Sequence, residues 1–234
     1  MRAVWLSFSQ MLKFVRQDRM LLAAGLAPLL AGTAIHFGVP FAENLLIHFT
    51  DLPAVLAPYY GLFDIFLAAI APAMLCFFAA MVMLEEHDDH IDRYLFMTGL
   101  GRKGYFISRL ILPALIAFAV TAALLPVFRL TALSAGAILF LSLAGTLQGI
   151  IIALLIVALS SNKLEGMAVT KLSSLMMLGA VVPYFIPAPV SFCFAFLPSF
   201  WMGKAILENS LFYMLPTLLV AGTWILLLQR KISG

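Results

Sequence analysis

The sequence predicts an all-α polytopic membrane protein. Of its 234 residues, 64% are hydrophobic and 11% are charged, and the mean hydropathy is +1.08. Soluble domains average about 45–50% apolar and about 25% charged residues, so this composition excludes a soluble enzyme and a nucleic-acid-binding module. The apolar residues form long uncharged runs and do not alternate with polar ones, which argues against a membrane β-barrel.

Six uncharged runs are long enough to cross a bilayer, because a helix needs about 20 apolar residues to span the hydrocarbon core. The two longest runs are too short for two helices joined by a turn, so each is interpreted as one span with an apolar shoulder. Residues 20–234 are therefore predicted to form a six-helix transmembrane domain. The predicted spans are 20–39, 60–84, 107–127, 132–159, 167–186 and 211–228.

Almost all of the 14 Lys and Arg residues fall on one side of this topology. The positive-inside rule places that side in the cytoplasm. We therefore expect a multi-pass protein of the inner (cytoplasmic) membrane with both termini in the cytoplasm. The same bias explains the basic pI without a nucleic-acid partner. The cytoplasmic set is Arg2, Lys13, Arg16, Arg19, Arg93, Arg102, Lys103, Arg109, Lys163, Lys171, Arg230 and Lys231, and the outer set is Arg129 and Lys204.

Residues 1–19 have an amphipathic pattern. Trp5, Phe8, Met11, Leu12 and Val15 recur at helical spacing, and polar residues fill the opposite face. A helix of this kind lies in the plane of the membrane interface. We predict an interfacial connecting helix that precedes the first span.

The segment 85–109 separates the second and third spans and is too polar for lipid. Acids come first and bases come last, and the Thr98-Gly99 pair marks a turn. The pattern predicts a short cytoplasmic helix, a turn and then entry into the third span. The apolar residues within it indicate a surface for a partner protein, since a solvated loop needs no such set. They are Ile91, Tyr94, Leu95, Leu100 and Tyr105.

We predict neither a metal site nor a catalytic residue in this chain. His87 and His90 lie three residues apart, but a lone histidine pair among acids is typical of a solvated polar stretch. Paired carboxylates indicate acid–base chemistry only within a pocket. The sequence also has no Walker A motif, so it is not expected to bind ATP by itself.

The outer segment 187–210 is interpreted as a re-entrant hairpin before the last span. Prolines end the fifth helix, and Pro198, Phe200 and Trp201 suit a broken segment that is buried against protein. An aromatic belt at the interface is the alternative interpretation.

Charges near the outer ends of the spans are costly in a membrane and therefore informative. Asp64, Arg129 and Lys204, together with Phe200 and Trp201, are candidate outer-gate residues. An Asp64–Arg129 pair would close an outer vestibule. A contact with substrate or with an ion is the alternative.

The stretch from Glu85 to Leu110 resembles the permease subunits of ABC-2 type ABC exporters. Acids end the second span, a short coupling helix with Tyr94 and Leu95 follows, and Arg109 opens the third span. Two departures are that Ile91 and Asp92 replace the family's glycine, and that Gly99 replaces the proline of the turn. Elsewhere, Arg16, Asp18 and Leu21 look like the connecting helix, and residues 197–206 look like the re-entrant helices.

This resemblance implies a half-transporter. Two permeases, identical or paralogous, would pair in the lipid bilayer with two separate ABC ATPase subunits. Those partners would bind ATP and magnesium, and this chain would carry no cofactor. The cargo would be a drug, a peptide or a lipid-like molecule. The implied ATPase-coupling residues are Glu85, Glu86, Tyr94, Leu95, Thr98, Gly99, Leu100 and Arg102.

Other classes of membrane protein stay open on sequence alone. A stand-alone six-span secondary transporter should have a broken helix or an acid near the midplane. A lipid-modifying enzyme of the membrane needs a polar interfacial cluster, for which His87, His90 and their acids are the candidates. The substrate-binding component of a vitamin importer needs no long polar connection between its second and third spans.

Overall fold

The computed structural model describes residues 2–17, 26–50 and 53–233, and within these ranges the chain is helical with no strand. Two of the helices contain a π-helical turn, Ala34–Gly38 and Ile107–Ile111, and another continues into the 3-10 turn Leu175–Ala180. The helices are α1 (Arg2–Gln17), α2 (Ala27–Thr33, Ala34–Gly38 and Val39–Thr50), α3 (Tyr60–Asp88), α4 (Ile91–Met97), α5 (Gly101–Phe106, Ile107–Ile111 and Leu112–Phe128), α6 (Ala135–Leu159), α7 (Lys163–Ser174, then Leu175–Ala180), α8 (Val182–Phe185), α9 (Pro198–Leu207) and α10 (Met214–Ser233).

Five helices in the described residues are long and apolar enough to cross a membrane. They are Ala27–Phe49, Ala57–Asp88, Gly101–Phe128, Ala135–Leu159 and Leu211–Ile232. The predicted count of six is not confirmed, because the chain over 167–186 is not one continuous apolar helix. There α7 carries charged residues in its first turns, then tightens into the 3-10 turn Leu175–Ala180 and ends in the short α8.

The first apolar helix ends later than the sequence suggests. Its predicted start falls on residues outside the described part of the chain, and its predicted end at 39 is wrong, because the helix continues to Thr50. Glu43 suggested the boundary, yet its buried carboxylate accepts hydrogen bonds from Val55 N at 2.9 Å and Leu56 N at 2.5 Å. A carboxylate satisfied in this way does not require exposure to water.

The centre of the fold is the packing of α3 against α6. Pro72 of α3 has no N–H to donate, so the carbonyl of Ala68, one turn earlier, lacks its usual helical partner. Gly145 of α6 lies against this carbonyl, and a Cβ built on Gly149 would lie 2.8 Å from Pro72 O. Small residues that allow close backbone approach are the usual means of packing helices in membranes. We call this contact the α3–α6 seam.

Substituting Gly145 tests the seam. A methyl group in Gly145→Ala would overlap Ala68 O, so we expect destabilisation of about 1–3 kcal/mol, as for other overpacked sites. Gly222→Ala on α10 is the matched control, since nothing lies within 4 Å of the position that its methyl group would take. Exposure of the buried Cys76 thiol on heating, measured in a Cys193→Ser background, reports unfolding in detergent. Equal melting temperatures for the two variants would contradict this account.

Candidate functional site

The segment between α3 and α5 forms a helical hairpin at the end of the fold where α1 also lies. Helix α3 extends to Asp88, and His90 then adopts a left-handed conformation with φ of 59°. Helix α4 follows and ends at a turn in which Thr98 Oγ1 donates to Leu95 O at 2.7 Å. Gly101, with φ of 63°, then opens α5. The hairpin from His90 to Gly101 is called the coupling hairpin below.

A buried arginine fastens the base of this hairpin. Arg109 Nε lies 3.0 Å from both carboxylate oxygens of Glu86, and its Nη2 lies 2.5 Å from Oε1. Its Nη1 donates to the carbonyl of Ser7 at 2.7 Å. The Arg109 side chain is 3% exposed and that of Glu86 is 13% exposed. One guanidinium therefore joins α1, α3 and α5.

The π-helical turn in α5 explains how Arg109 reaches this position. Such turns add a residue to the helical turn and shift the phase of the side chains. Ser108, Arg109 and Leu110 are consequently all buried, and Ser108 Oγ lies 3.3 Å from Ser7 Oγ. The sequence pattern indicated Arg109 as the start of a span but gave no sign of its contact with Ser7.

Helix α1 packs on the transmembrane helices through a narrower face than expected. Phe8 and Met11 are buried and form a cluster with Ala79 and Val82 of α3, whereas Trp5 and Leu12 are exposed. The side chain of Val15, the last residue of the predicted apolar face, lies outside the described residues. So do the Arg16 side chain, Asp18 and Leu21, on which the resemblance to a connecting helix rests.

Glu85 also pairs within the chain. Lys163 Nζ lies 2.8 Å from Glu85 Oε2, with both side chains about one-third exposed, and the Lys163 N–H donates to Asp88 at 3.3 Å. This pair joins the end of α3 to the start of α7. Nearby, His87 Nδ1 lies 2.8 Å from Asp92 Oδ2, and both His87 and His90 are exposed.

The remaining predicted coupling residues divide into exposed and half-buried groups. Tyr94 is 73% exposed, and Thr98 and Gly99 are exposed beside it. Leu95 and Leu100 are half-buried, and Arg102 donates to Ile232 O at 2.9 Å. Met97, which sequence reasoning missed, is 88% exposed. Its place three residues after Tyr94, on the same side of a helix, was the available signal.

At the opposite end of the fold, Asp64 holds a loop and does not form the suggested ion pair. Its buried carboxylate accepts from Leu130 N at 2.7 Å, Thr131 N at 3.0 Å and Thr131 Oγ1 at 2.5 Å. Arg129 instead donates to Leu133 O at 2.5 Å. Both residues lie in the described part of the chain, and no salt bridge joins them there. Three donors already satisfy the carboxylate, so it needs no guanidinium.

The other three outer-gate candidates form a separate aromatic cluster. Phe200 is fully buried, and Trp201 Nε1 donates to Ala195 O at 2.8 Å. Lys204 Nζ lies 4.1 Å from the ring centre of Phe192 and 5.3 Å from that of Tyr213. Such cation–π contacts stabilise an ammonium that is partly removed from water.

Helix α9, which carries this cluster, packs tightly against the 3-10 turn Leu175–Ala180 at the end of α7. Ser199 Oγ donates to Met176 O at 2.5 Å, and a Cβ built on Gly203 would lie 2.5 Å from Ala180 O. Irregular backbone at membrane depth is tolerated where protein buries it in this way. The packing is compatible with a re-entrant hairpin.

Gln148, in the middle of α6, was also missed by sequence reasoning. Its side chain is fully buried, and neither its amide nitrogen nor its carbonyl oxygen has a partner in the described residues. A buried polar group without a hydrogen bond costs about 1–3 kcal/mol. The available signal was an amide within the long uncharged run between Arg129 and Lys163.

Bilayer-length apolar helices, a fastened hairpin at one end and an aromatic cluster at the other define a polytopic helical membrane protein. The chain belongs to the family described as fluoroquinolones export permease protein Rv2686c-like, whose family model matches residues 11–229. It is therefore a transmembrane transport protein. No curated protein and no solved structure matches the chain.

Replacing Arg109 tests the fastening of the hairpin. Arg109→Met removes the counter-charge of the largely buried Glu86 carboxylate, for which a loss of about 3–5 kcal/mol is expected. The double variant Arg109→Met/Glu86→Leu should recover most of that loss, because no buried charge remains. Melting temperature and monodispersity in detergent provide the measurement.

Lys163→Met is the control for this pair of variants. It breaks the one-third exposed pair with Glu85, which should contribute no more than about 1 kcal/mol. If Arg109→Met melts like Lys163→Met, the Arg109 cluster does not hold the three helices together.

Proposed function

We propose that this chain is the membrane-spanning permease subunit of an ABC-2 type exporter and acts with separate ABC ATPase subunits. Membership of an export permease family supports the transport class. The observation that carries the proposal further is the exposure of Tyr94 and Met97 on a hairpin between two bilayer-length helices. Leaving a large apolar side chain in water costs about 1.5–3 kcal/mol relative to burial. A groove on a partner protein would remove both from water.

The source of energy follows from what the sequence lacks. The chain has no Walker A motif, so ATP and magnesium are assigned to the partner subunits. A pair of permeases, either two copies or this chain with a paralogue, would match a pair of ATPases. ATP shifts the transporter between access states only if its binding favours one of them.

The contacts around the coupling hairpin suggest how movement is transmitted. Helix α4 continues into α3 at one end and into α5 at the other, and Arg109 joins those two helices through Glu86. Displacement of α4 by a partner would therefore move the ends of α3 and α5 together. The rigid α3–α6 seam would carry that movement into the membrane-spanning part.

The proposed cargo is a drug of the fluoroquinolone class, because the family description names these compounds. Fluoroquinolones combine a flat aromatic ring system with polar substituents. In the outer aromatic cluster, Trp201 and Tyr213 stack on each other and are both partly exposed, which provides an aromatic surface suited to such molecules. Export from the cytoplasm also agrees with the proposed location in the inner membrane.

Charged substitutions on the coupling hairpin test the partner interface. Tyr94→Asp/Met97→Asp should reduce co-purification of the ATPase and ATP-dependent fluoroquinolone export at least tenfold, because two apolar anchors become charged. The half-buried Leu95 and Leu100 are left intact, so expression and size-exclusion behaviour should not change. The permease freed of its ATPase should show no ATP hydrolysis.

Asn209→Asp is the matched control, because it introduces an acid at an exposed position between α9 and α10, at the opposite end of the fold from the hairpin. It should retain both ATPase binding and export. Parental co-purification and export in the double variant would make the hairpin a simple loop, and hydrolysis by the isolated chain would refute the permease assignment.

The orientation has a built-in reference in the two cysteines. Cys76 is buried and Cys193 is exposed on the proposed outer side, so an impermeant maleimide should label the parent at Cys193 in intact cells. Ser161→Cys, at an exposed position between α6 and α7 and outside the hairpin, should in a Cys193→Ser background be labelled only after the cells are opened. Labelling of Ser161→Cys from outside would contradict the proposed orientation.

A further inference from the structure

A cavity of about 340 Å³ lies at the hairpin end of the fold, apart from the exposed face of the hairpin. Its walls are formed by the last turns of α3 and α6, the C-terminal part of α10 and the inner side of the coupling hairpin. Apolar side chains, including Met83, Phe96 and Val157, supply most of the lining. The volume falls within the usual range for small-ligand pockets.

The polar part of the lining is mainly basic. Arg102 and Lys231 line the cavity together with His87, and the one acid, Asp92, hydrogen-bonds to His87. Arg102 belongs to α5 and Lys231 to α10, so the fold brings these two basic side chains together. Arg102 also donates to Ile232 O at 2.9 Å, which fixes α10 beside α5.

A third polar group in the lining is a buried serine. Ser160, at the end of α6, lines the cavity, is 9% exposed, and its Oγ is buried without a hydrogen bond among the described residues. A hydroxyl in this state is costly unless something outside the protein satisfies it. The cavity therefore offers an unused hydroxyl and two cations beside an apolar wall.

We propose that this cavity binds the phosphate of an anionic phospholipid from the adjoining leaflet. Basic pockets between transmembrane helices on the cytoplasmic side are suited to anionic headgroups. Arg102 and Lys231 would contact the phosphate, Ser160 Oγ would donate to one of its oxygens, and Met83 and Phe96 would contact the start of the acyl chains. The proposal depends on neither an ATPase partner nor the identity of the cargo.

The position of the cavity gives the lipid a structural consequence. Its walls include Asp92 and Phe96 of the coupling hairpin and Lys231 of α10, elements that are otherwise joined there through Arg102. A bound headgroup would therefore hold the hairpin against the last helix. Bound lipid should raise the stability of this end of the fold, because a ligand that binds only the folded state stabilises it.

The experiment measures binding of phosphatidylglycerol to the purified full-length chain in detergent, by native mass spectrometry and by thermal shift. Phosphatidylcholine and inorganic phosphate are the comparison ligands. Lys231→Gln should weaken phosphatidylglycerol binding about fivefold, and Arg102→Gln/Lys231→Gln about 25-fold. Ser160→Ala keeps both cations and should weaken binding severalfold, so the test survives if the double variant fails to fold.

Lys103→Gln is the matched control, because Lys103 is exposed on α5 but does not line the cavity. It should leave binding unchanged. Equal losses in Lys103→Gln and Lys231→Gln, or equal binding of phosphatidylcholine, would overturn the site. A thermal shift with inorganic phosphate as large as that with phosphatidylglycerol would overturn the assignment to a lipid.

Discussion

The contact of Arg109 with Glu86 and with the carbonyl of Ser7 is the interaction on which the arrangement of the hairpin end of the fold depends. A nearly buried guanidinium is tolerated only when its donors are satisfied, and these two partners lie on two different helices. Moving α1 away would leave Nη1 without the Ser7 carbonyl. Moving α3 away would leave a buried charge unpaired. The three helices are therefore held in one arrangement by the electrostatics of one side chain.

At the opposite end of the fold, buried carboxylates hold neighbouring segments together, as the Arg109 guanidinium does at the hairpin end. Asp64 accepts hydrogen bonds from the backbone of the loop after α5, and Glu43 accepts them from the backbone before α3. Backbone N–H groups near lipid must find acceptors inside the protein. Each carboxylate satisfies two of them at once, which keeps the loops compact where regular helix ends.

Long apolar runs were sufficient to predict most of the membrane helices. Backbone groups exposed to lipid are costly, and a helix pairs these groups within one segment of the chain. The errors arose where a charge has a partner distant in sequence. Glu43 suggested a helix end because it is charged, but its carboxylate accepts hydrogen bonds from Val55 and Leu56, and sequence spacing does not reveal those donors. The 3-10 turn at the end of α7 was missed for a related reason, since it depends on contact with Ser199 and Gly203 of α9.

The same reasoning separates what was predictable at the candidate site from what was not. The order of acids, apolar residues and bases indicated a hairpin with an exposed apolar surface, and Tyr94 is exposed as that pattern suggests. The pairing of Glu85 with Lys163 and of Glu86 with Arg109 was not visible, because it depends on how α7 and α5 pack beside α3. Likewise, Asp64 lay close to Arg129 in the predicted topology, but the geometry favours backbone donors.

The division between satisfied and unsatisfied polar groups also suggests which parts of the fold are fixed. Arg109 and Asp64 lie at the two ends of the helices, where a loss of contact would leave a buried charge without a partner. The unsatisfied Gln148 lies midway along α6, next to the glycines of the α3–α6 seam. A neutral amide costs far less than a charge when it lacks a partner. The interior can therefore accept a poorly satisfied polar group because the seam and the two ends already determine the packing.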